Sequence, residues 1–510
     1  MTVPYGHFKS AGCLSMSHRF PARISATVGL LVAGALSACA SLPASAPLSR
    51  AKSASDYAAA RSFDASQDPG RKTDWPADGW WKAYGDPQLD SLIDEALKGS
   101  PTLAGAHARV AKAQAELGQT SASLFPSLSG QANATENKQS YNYGIPKLFV
   151  PKGYRDYGQT ELNFSYEFDF WGKNRSAVAA SVSEARAAQA DAAEARLTLS
   201  TAVAAAYADL ARLYAERDVA LRSVQSRQET QDLVARRVAD GLDTQAEAKQ
   251  AEAGPPAARA DLAAIDEQIL DTRNQIAALL GAGPDRGLAL ERPAAPALKA
   301  FGLPQRLAAD LIGRRPDVTA ARWRAEAASK RIGVAQAQFY PDVNLVADIG
   351  FQALGLRNVF KSGSDVGQVG PAVSLPIFEG GRLRANLRGA RADYEDAVAS
   401  YDGAVVQALH DVADAAAGER ALATRLKESR DALAAYEEAY RVARLRYDGG
   451  LANFQSVLLV EDSVLTARRT VVDLEARAFT LDIQLIKALG GGFTPIPYAS
   501  SSDFQDTHHG

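Results

Sequence analysis

The sequence predicts an α+β protein built from two similar halves. Three observations support this prediction: some segments alternate strictly between apolar and polar residues, two helical segments are far longer than a globular core needs, and sequence landmarks recur at a nearly constant spacing. Alternation with a period of two is typical of a strand whose two faces differ. Recurrence at a fixed spacing indicates an internal duplication.

The duplication is visible in landmarks that keep their order along the chain. Pro126 and Pro341 each follow an aromatic residue, and they lie 215 positions apart. Gly241 and Gly450 each precede a leucine, and they lie 209 positions apart. The predicted ranges are 74–290 for the first repeat, 303–492 for the second repeat and 493–510 for a C-terminal tail.

Each half has the same predicted order of elements: an opening helix, two strands, a very long helix, a glycine turn and a returning helix. The opening helices are predicted at Leu89–Leu117 and Leu303–Gln338, and the long helices at Trp171–Asp240 and Arg382–Asp448. Each long helix reaches ~100 Å if unbroken, a length that suits a protein crossing an aqueous compartment. In the first returning helix, Gly254-Pro255-Pro256 predicts a break or a kink.

The clearest strand is Glu161–Phe170, in which Leu162, Phe164 and Phe168 alternate with polar residues that include Glu167 and Asp169. A soluble sheet over a core would show the same alternation, so this pattern leaves both settings open. The other strands are predicted near Leu128–Thr135, Val343–Gln352 and Gln368–Ile377. The loops between paired strands hold aromatic residues that we expect on the surface, namely Tyr141, Tyr143, Phe149, Tyr154 and Tyr157.

The N-terminus, residues 1–38, is predicted to be a signal peptide. Basic residues precede the apolar run Ile24–Ala35, which is too short to span a bilayer. The run ends in Leu-Ser-Ala-Cys, which resembles the bacterial lipoprotein cleavage box, so Cys39 is the expected acylated first residue of the mature chain. Residues 39–73 would then be a lipid-anchored linker. An ordinary secretory signal is the alternative, and the start codon, Met1 or Met16, is left open.

Composition and motifs argue against several function classes. Lys plus Arg is 56 and Asp plus Glu is 59, a net charge of −3, so a nucleic-acid partner is not expected. The two cysteines, Cys13 and Cys39, leave the rest of the chain without a disulfide or thiolate metal site. No nucleophile elbow, phosphate-binding loop or His-x-x-x-His pair is present. We therefore expect no catalytic residues, no metal and no cofactor other than the covalent lipid on Cys39.

Five motifs together resemble a known family. They are Trp80-Trp81 with Gly85–Leu89, Tyr166–Lys173, Arg314–Asp317, Phe339–Pro341 and Pro376–Arg382. With the duplication and the lipoprotein box, they resemble the outer-membrane factor family of TolC-like channels, in particular its lipoprotein branch. The resemblance covers about residues 74 to 492.

The resemblance implies a homotrimer in which four strands per chain form one twelve-stranded transmembrane β-barrel, continued by a long periplasmic α-helical barrel. It implies an outer-membrane exit duct of a tripartite efflux system. The implied partners are outer-membrane lipid, a periplasmic adaptor (membrane fusion) protein and an inner-membrane transporter of the resistance-nodulation-division type. The alternatives are a structural envelope scaffold lipoprotein, the duct of a type I protein secretion system and a cell-wall-linked enzyme, and the exported substrate is left open.

In this arrangement the apolar strand face should meet lipid, while Glu167 and Asp169 should line water. The turns Gly241-Leu242 and Gly450-Leu451 are the expected docking sites for the adaptor, because glycine permits the tight reversal and leucine offers an apolar contact.

The resemblance also implies a gate near these turns. Its residues here would be Glu247 and Tyr447, joined by a hydrogen bond, and Leu459, which would close the channel by apolar contact. An arginine and a ring of aspartates found in the family's best-known member are replaced here by Ala452, Ser456 and Leu459. A cation-selective aspartate constriction is therefore not expected.

Overall fold

A computed structural model describes residues 47–53, 56–58, 75–142, 146–294 and 313–494. Within these ranges the strands are β1 (Ser127–Asn137), β2 (Arg155–Glu167), β3 (Asp342–Leu354) and β4 (Asp365–Ser374). The helices are α1 (Pro87–Gly99), α2 (Pro101–Ser121), α3 (Lys173–Ala239), α4 (Gln245–Leu279), α5 (Asp285–Leu288), α6 (Pro316–Ala337), α7 (Arg382–Asp448) and α8 (Phe454–Ala488). The predicted signal peptide and Cys39 lie outside the described residues.

The long helices agree closely with the sequence. Both α3 and α7 run for 67 residues, and their bounds differ from the predicted ones by no more than two positions. None of the helices in the described ranges combines the length and the apolar character needed to cross a bilayer.

Gly254-Pro255-Pro256 does not break the helix, because α4 continues through both prolines, and the alternative of a kink stays a prediction. Pro255 is buried there, and a Cβ atom added to Gly254 would lie 3.2 Å from Cδ of Arg227 on α3. Gly254 therefore lets the two helices approach closely.

The first opening helix differs from its prediction, because it is divided into α1 and α2 at Ser100. Pro101 occupies the first position of α2, where its missing N–H costs no helical hydrogen bond. In the second repeat, α6 begins at Pro316, and residues 303–312 of the predicted opening helix lie outside the described residues.

The described chain divides into two compact units, and the first contains the sheet, with residues Ser127–Trp171 and Ala335–Leu387. The four strands pair antiparallel in the order β1-β2-β3-β4. β2 begins six residues before its predicted start and ends three residues before its predicted end. Two strands, β1 and β4, each pair along one edge only, so this sheet has two free edges.

The register separates apolar from polar residues across the whole sheet. Leu162 lies opposite Gly130 and Ile349, whereas the next residue, Asn163, lies opposite Ser129 and Asp348. Residues directly opposite one another share a face of an antiparallel sheet. One face is therefore apolar, and its members include Leu128, Leu162, Phe164, Leu345, Ala347, Ile349, Val369 and Val373.

The second unit contains residues Leu48–Pro126, Gly172–Val334 and Arg388–Gly510. Its largest core joins the segment at Trp80–Tyr84 and helix α1 to α3 and α8. Asp86 caps the start of α1 by accepting from the backbone N–H of Gln88 at 2.9 Å, and it also accepts from the hydroxyl of Tyr207 at 2.6 Å. The motif before α1 thus tethers this helix to α3.

The motif Arg314–Asp317 makes a second tether in this unit. Arg315 is buried and donates to Asp317 at 2.6 Å and to Asp411 on α7 at 2.8 Å. The guanidinium of Arg314 lies 4.9 Å from the ring centre of Trp75. This motif therefore holds the start of α6 against α7.

Candidate functional site at the helix turns

Both long helices end in the same backbone motif. The N–H of Leu242 donates to the carbonyl of Arg237 at 2.8 Å, and that of Leu451 donates to the carbonyl of Arg446 at 2.7 Å. The preceding glycines have φ angles of 71° for Gly241 and 73° for Gly450, in the left-handed region that favours glycine. These are Schellman motifs, which satisfy the last carbonyls of a helix while reversing the chain.

The leucine after each glycine is exposed. A hydrophobic residue at this position usually packs back on its own helix. Here Leu242 is 64% exposed and Leu451 is 73% exposed. Each turn therefore presents an apolar side chain that the described part of the chain leaves largely uncovered.

The helices that follow the turns begin with polar caps. Thr244 and Glu247 form a capping box: Glu247 accepts from the backbone N–H of Thr244 at 2.7 Å, and the Thr244 side chain accepts from the N–H of Glu247. In the second repeat, the Asn453 side chain accepts from the N–H of Ser456 at 3.0 Å. These caps fix the start of α4 and α8 directly beside the turns.

Hydrogen bonds join the first helical hairpin, α3 with α4, to the second, α7 with α8, at this end. The hydroxyl of the buried Tyr447 donates to the carboxylate of Asp243 in the first turn. Arg237 donates to the same carboxylate at 3.0 Å, and its guanidinium lies 4.5 Å from the centre of the Tyr447 ring. Arg237 also donates to the backbone carbonyl of Asp448 at 3.3 Å. We call Arg237, Asp243 and Tyr447 the turn cluster.

Electrostatics favour the ionised form of Asp243. Burial alone would raise the pKa of its carboxyl, but the hydrogen bonds from Arg237 and Tyr447 outweigh burial and hold that pKa below its usual range. Burial and the bond to Asp243 raise the pKa of the Tyr447 hydroxyl, which stays protonated and can donate. The turn cluster therefore keeps its charges at neutral pH.

The expected bond between Glu247 and Tyr447 is wrong for this chain. The Glu247 carboxylate is used by the capping box at the start of α4, and Tyr447 donates to Asp243 instead. The sequence contained one signal for this partner. Asp243 occupies the place that Ala452 has in the second repeat, so it departs from the internal symmetry of the two turns.

A second contact between the hairpins lies further from the turns. Glu461 on α8 is 2% exposed and accepts from the hydroxyl of Ser226 on α3 at 2.8 Å, and the guanidinium of Arg227 lies 3.5 Å from its carboxylate. Ser226 also shares a hydrogen bond of 3.1 Å with the hydroxyl of Tyr440 on α7. Burial raises the pKa of Glu461, and the nearby Arg227 offsets this only in part. No sequence motif predicted this role for Glu461.

Leu459, the third predicted gate residue, is 67% exposed on α8, two positions from the buried Glu461. Its exposure leaves it available for a contact with another chain, and its role in closure stays a prediction. In the described part of the chain, no group of three or more His, Cys, Asp or Glu residues could hold a metal ion.

The apolar sheet face is the other candidate surface. Leu162 is 51% exposed, Ile349 is 68% exposed and Val369 is 75% exposed, although all three belong to the same continuous face. Large contiguous apolar surfaces are rare on proteins that contact only water. Opposite them, the other face carries Gln, Asn, Glu and Asp.

Comparisons with known proteins agree with this geometry. The sequence matches the family described as "Outer membrane efflux protein" over residues 92–282 and 307–491. The chain belongs to this outer membrane efflux protein family.

Relatives of this efflux family member include the fusaric acid resistance protein FusA of Burkholderia cepacia, which is 36% identical over 72% of this chain and 68% of its own length. The multidrug resistance outer membrane protein MdtP of Shigella flexneri is 34% identical over 83% of this chain and 88% of its own length. Among solved structures, the outer membrane protein VceC of Vibrio cholerae is similar with a TM-score of 0.78 and 47% identity, covering 82% of this chain and 100% of that one.

These matches confirm the predicted family, the TolC-like trimeric channel fold and the function of an outer-membrane efflux protein. The relatives in this efflux family are channels rather than enzymes.

Proposed function

We propose that this chain is the exit duct of a tripartite efflux pump and passively conducts substrates from an inner-membrane transporter and a periplasmic adaptor to the outside. The observation that carries the proposal is the four-stranded sheet, which has one apolar face, one polar face and two free edges. Free edges are intolerable in lipid, because the unpaired backbone groups have no water to bind.

Three copies of this sheet would remove the free edges. They would give twelve strands, an even number that suits an antiparallel transmembrane barrel. The apolar face that includes Leu162 and Ile349 would then contact lipid, while the polar face that includes Asn163 and Asp348 would line the water-filled pore.

The ends of α3 and α7 that carry the two turns would contact the adaptor. Leu242 and Leu451 occupy equivalent positions after the two Schellman motifs, and both are exposed. Two similar apolar contacts in each of three copies would give a six-fold pattern of docking points. We propose a transporter of the resistance-nodulation-division type as the inner-membrane partner.

Small toxic organic compounds are the substrate class we propose. This choice follows from the relatives, one of which is named for fusaric acid resistance and others for multidrug resistance.

We also propose that Cys39 is acylated and anchors the mature chain to the outer membrane. Mass spectrometry of the mature N-terminus tests this, and an unmodified terminus elsewhere would contradict it.

The docking proposal is tested by the double variant Leu242→Glu, Leu451→Glu in a strain that depends on this channel for resistance. Resistance should fall to the level of the deletion strain while trimers still form in the membrane, because charged side chains cannot fill apolar sockets. Leu288→Glu, which changes a leucine that is 57% exposed outside the turns, is the matched control. Full resistance in the double variant would contradict docking at these turns.

A further inference from the structure

Two loops meet at the end of the sheet that is away from the helix connections. The first loop joins β1 to β2, and the second joins β3 to β4. The backbone N–H of Gly355 in the second loop donates to the carbonyl of Asp156 at 2.6 Å, and the N–H of Leu356 donates to the Asp156 side chain at 2.8 Å. We call the described residues of these loops, 138–142, 146–155 and 355–364, the loop end.

The loop end is strongly basic. It contains six Lys or Arg residues and no Asp or Glu, and Glu136, Asp156 and Asp365 lie beside it in the sequence. The six cations are Lys138, Lys147, Lys152, Arg155, Arg357 and Lys361. Asp156, the nearest following acid, is already used as an acceptor by the second loop.

These cations lack acidic partners in the part of the chain that the structure describes. The Nζ atom of Lys138 lies 5.9 Å from the ring centres of both Tyr141 and Tyr154, and Lys361 donates to the amide oxygen of Asn358 at 2.7 Å. By contrast, many arginines on the helices pair with carboxylates, as Arg292 does with Asp218 and Arg430 with Glu475. Ion pairs within the described residues therefore do not neutralise the positive charge of the loop end, and its six cations outnumber the three flanking acids.

Exposed apolar side chains lie among these cations. Leu148 is 89% exposed, Phe149 is 73% exposed and Tyr154 is 69% exposed in the first loop, and Phe360 is 77% exposed in the second. A soluble polyanion would gain little from these side chains. Basic residues mixed with exposed aromatic and apolar residues are typical of surfaces that bind anionic lipid, with cations on the head groups and apolar groups in the acyl region.

We propose that the loop end binds the phosphorylated head group of an anionic glycolipid in the outer leaflet. The lysine and arginine side chains contact phosphate groups, and Phe149 and Phe360 reach the acyl region. This inference rests on the proposed function, because the loop end lies beside the outer leaflet only if the sheet forms the transmembrane barrel. Charge complementarity and the neighbouring apolar side chains select this partner.

The test uses the purified full-length protein, immobilised in neutral detergent and exposed to phosphatidylcholine vesicles with or without lipopolysaccharide. The wild type should bind the lipopolysaccharide vesicles much more tightly than the neutral ones. The triple variant Lys147→Gln, Lys152→Gln, Lys361→Gln should lose about 100-fold in affinity, since each cation near an anionic surface contributes about 1 kcal/mol. The matched control is Lys112→Gln, Lys249→Gln, Lys427→Gln, which removes three exposed helix lysines.

Two further measurements identify the ligand chemistry. Dephosphorylated lipopolysaccharide should bind weakly to the wild type. The double variant Phe149→Ser, Phe360→Ser should bind lipopolysaccharide vesicles more weakly, while its binding to soluble polyphosphate should be unchanged. Equal affinity of the triple variant and its control, or tight binding of the dephosphorylated lipid, would overturn the proposal. Conductance of the same preparations in planar bilayers separates the glycolipid site from the proposed channel function. Channels that conduct but do not prefer lipopolysaccharide vesicles refute the glycolipid site alone. Absence of conduction refutes the proposed function.

Discussion

At the residue scale, Tyr447 and Asp243 form the contact that holds the two helical hairpins of one chain together at the turns. The bond is charge-assisted and shielded, because Tyr447 is fully buried and the Asp243 side chain is 7% exposed. Such a bond contributes about 1.5–3 kcal/mol. Three copies of this hydrogen bond in a trimer would favour a channel that is closed at the turns, while still permitting it to open.

Tyr447→Phe should therefore loosen the turn end. The variant removes one hydroxyl and leaves Asp243 bonded to Arg237 alone, so the closed state should lose about 1.5–3 kcal/mol in each chain. Cells that carry the variant should take up large antibiotics that the intact outer membrane excludes, measured as a lower inhibitory concentration.

Two controls belong to this measurement. Tyr436→Phe changes an exposed tyrosine on the same helix, and Glu247→Gln changes a residue that the structure places in a helix cap. Both should leave antibiotic uptake near the wild-type level. An increase with Glu247→Gln equal to that with Tyr447→Phe would show that the capping box, rather than the turn cluster, controls closure.

Glu461 should make this region sensitive to pH. Burial raises its pKa in the folded protein above the unfolded value, so the ionised carboxylate costs stability at pH values above the folded pKa. That cost diminishes as the pH falls through the folded pKa and is absent below the unfolded one. Ser226, Arg227, Tyr440, Arg444 and Asp462 surround the carboxylate, and the two arginines reduce the cost without removing it.

Glu461→Gln should accordingly protect the backbone amides near residues 226 and 461 from hydrogen exchange at pH 7.5, with a smaller effect at pH 5. Peptide-resolved hydrogen–deuterium exchange measures this local opening. Glu428→Gln, which changes an acid whose side chain is 68% exposed, is the control. Faster exchange in Glu461→Gln at pH 7.5 would mean that its contacts with Ser226 and Arg227 outweigh its burial.

At the scale of single elements, strand β2 offers a direct test of the two sheet faces. Phe164 lies opposite Leu128 and Ala347 on the apolar face, and Ser165 lies opposite Ser127 and Val346 on the other face. An arginine on the lipid face near the bilayer midplane costs about 2–4 kcal/mol. Phe164→Arg should thus reduce the amount of folded trimer far more than Ser165→Arg, measured by heat-modifiable mobility on gels.

Equal amounts of trimer in the two variants would show that the apolar face does not meet lipid. Failure of Phe164→Arg to fold would not by itself identify lipid contact as the cause, so Phe164→Leu is a second comparison. It removes the aromatic ring but keeps the face apolar, and it should assemble nearly as well as the wild type.

The sequence was sufficient to predict the elements whose signals are local. Alternation in Glu161–Phe170 identified the apolar face, and the left-handed glycines Gly172, Gly241 and Gly450 mark where long helices begin or end. It left a break and a kink open at Pro255, where α4 in fact continues, because the local rule for proline does not include tertiary packing such as that of Gly254 on Arg227. It also failed to pair Tyr447 with Asp243, since that bond joins residues 204 positions apart and depends on how two hairpins pack.

At the scale of the whole molecule, the duplication explains why the two turns match and where they differ. Both repeats supply a Schellman motif with an exposed leucine, which suits a repeated docking surface. Only the first repeat supplies Asp243, and only the second supplies Tyr447. The shared features therefore fit adaptor docking, while the differing residues join one repeat to the other.

The most direct test of the central claim is the conductance of the purified protein in planar lipid bilayers. An exit duct made of three chains should give discrete current steps, with one conducting unit for each trimer, and the steps should be small while the turn clusters hold the end closed. Tyr447→Phe should enlarge those steps. Trimers that are incorporated into the bilayer and still carry no current, in the wild type and in Tyr447→Phe alike, would contradict the account and favour a structural role in the envelope.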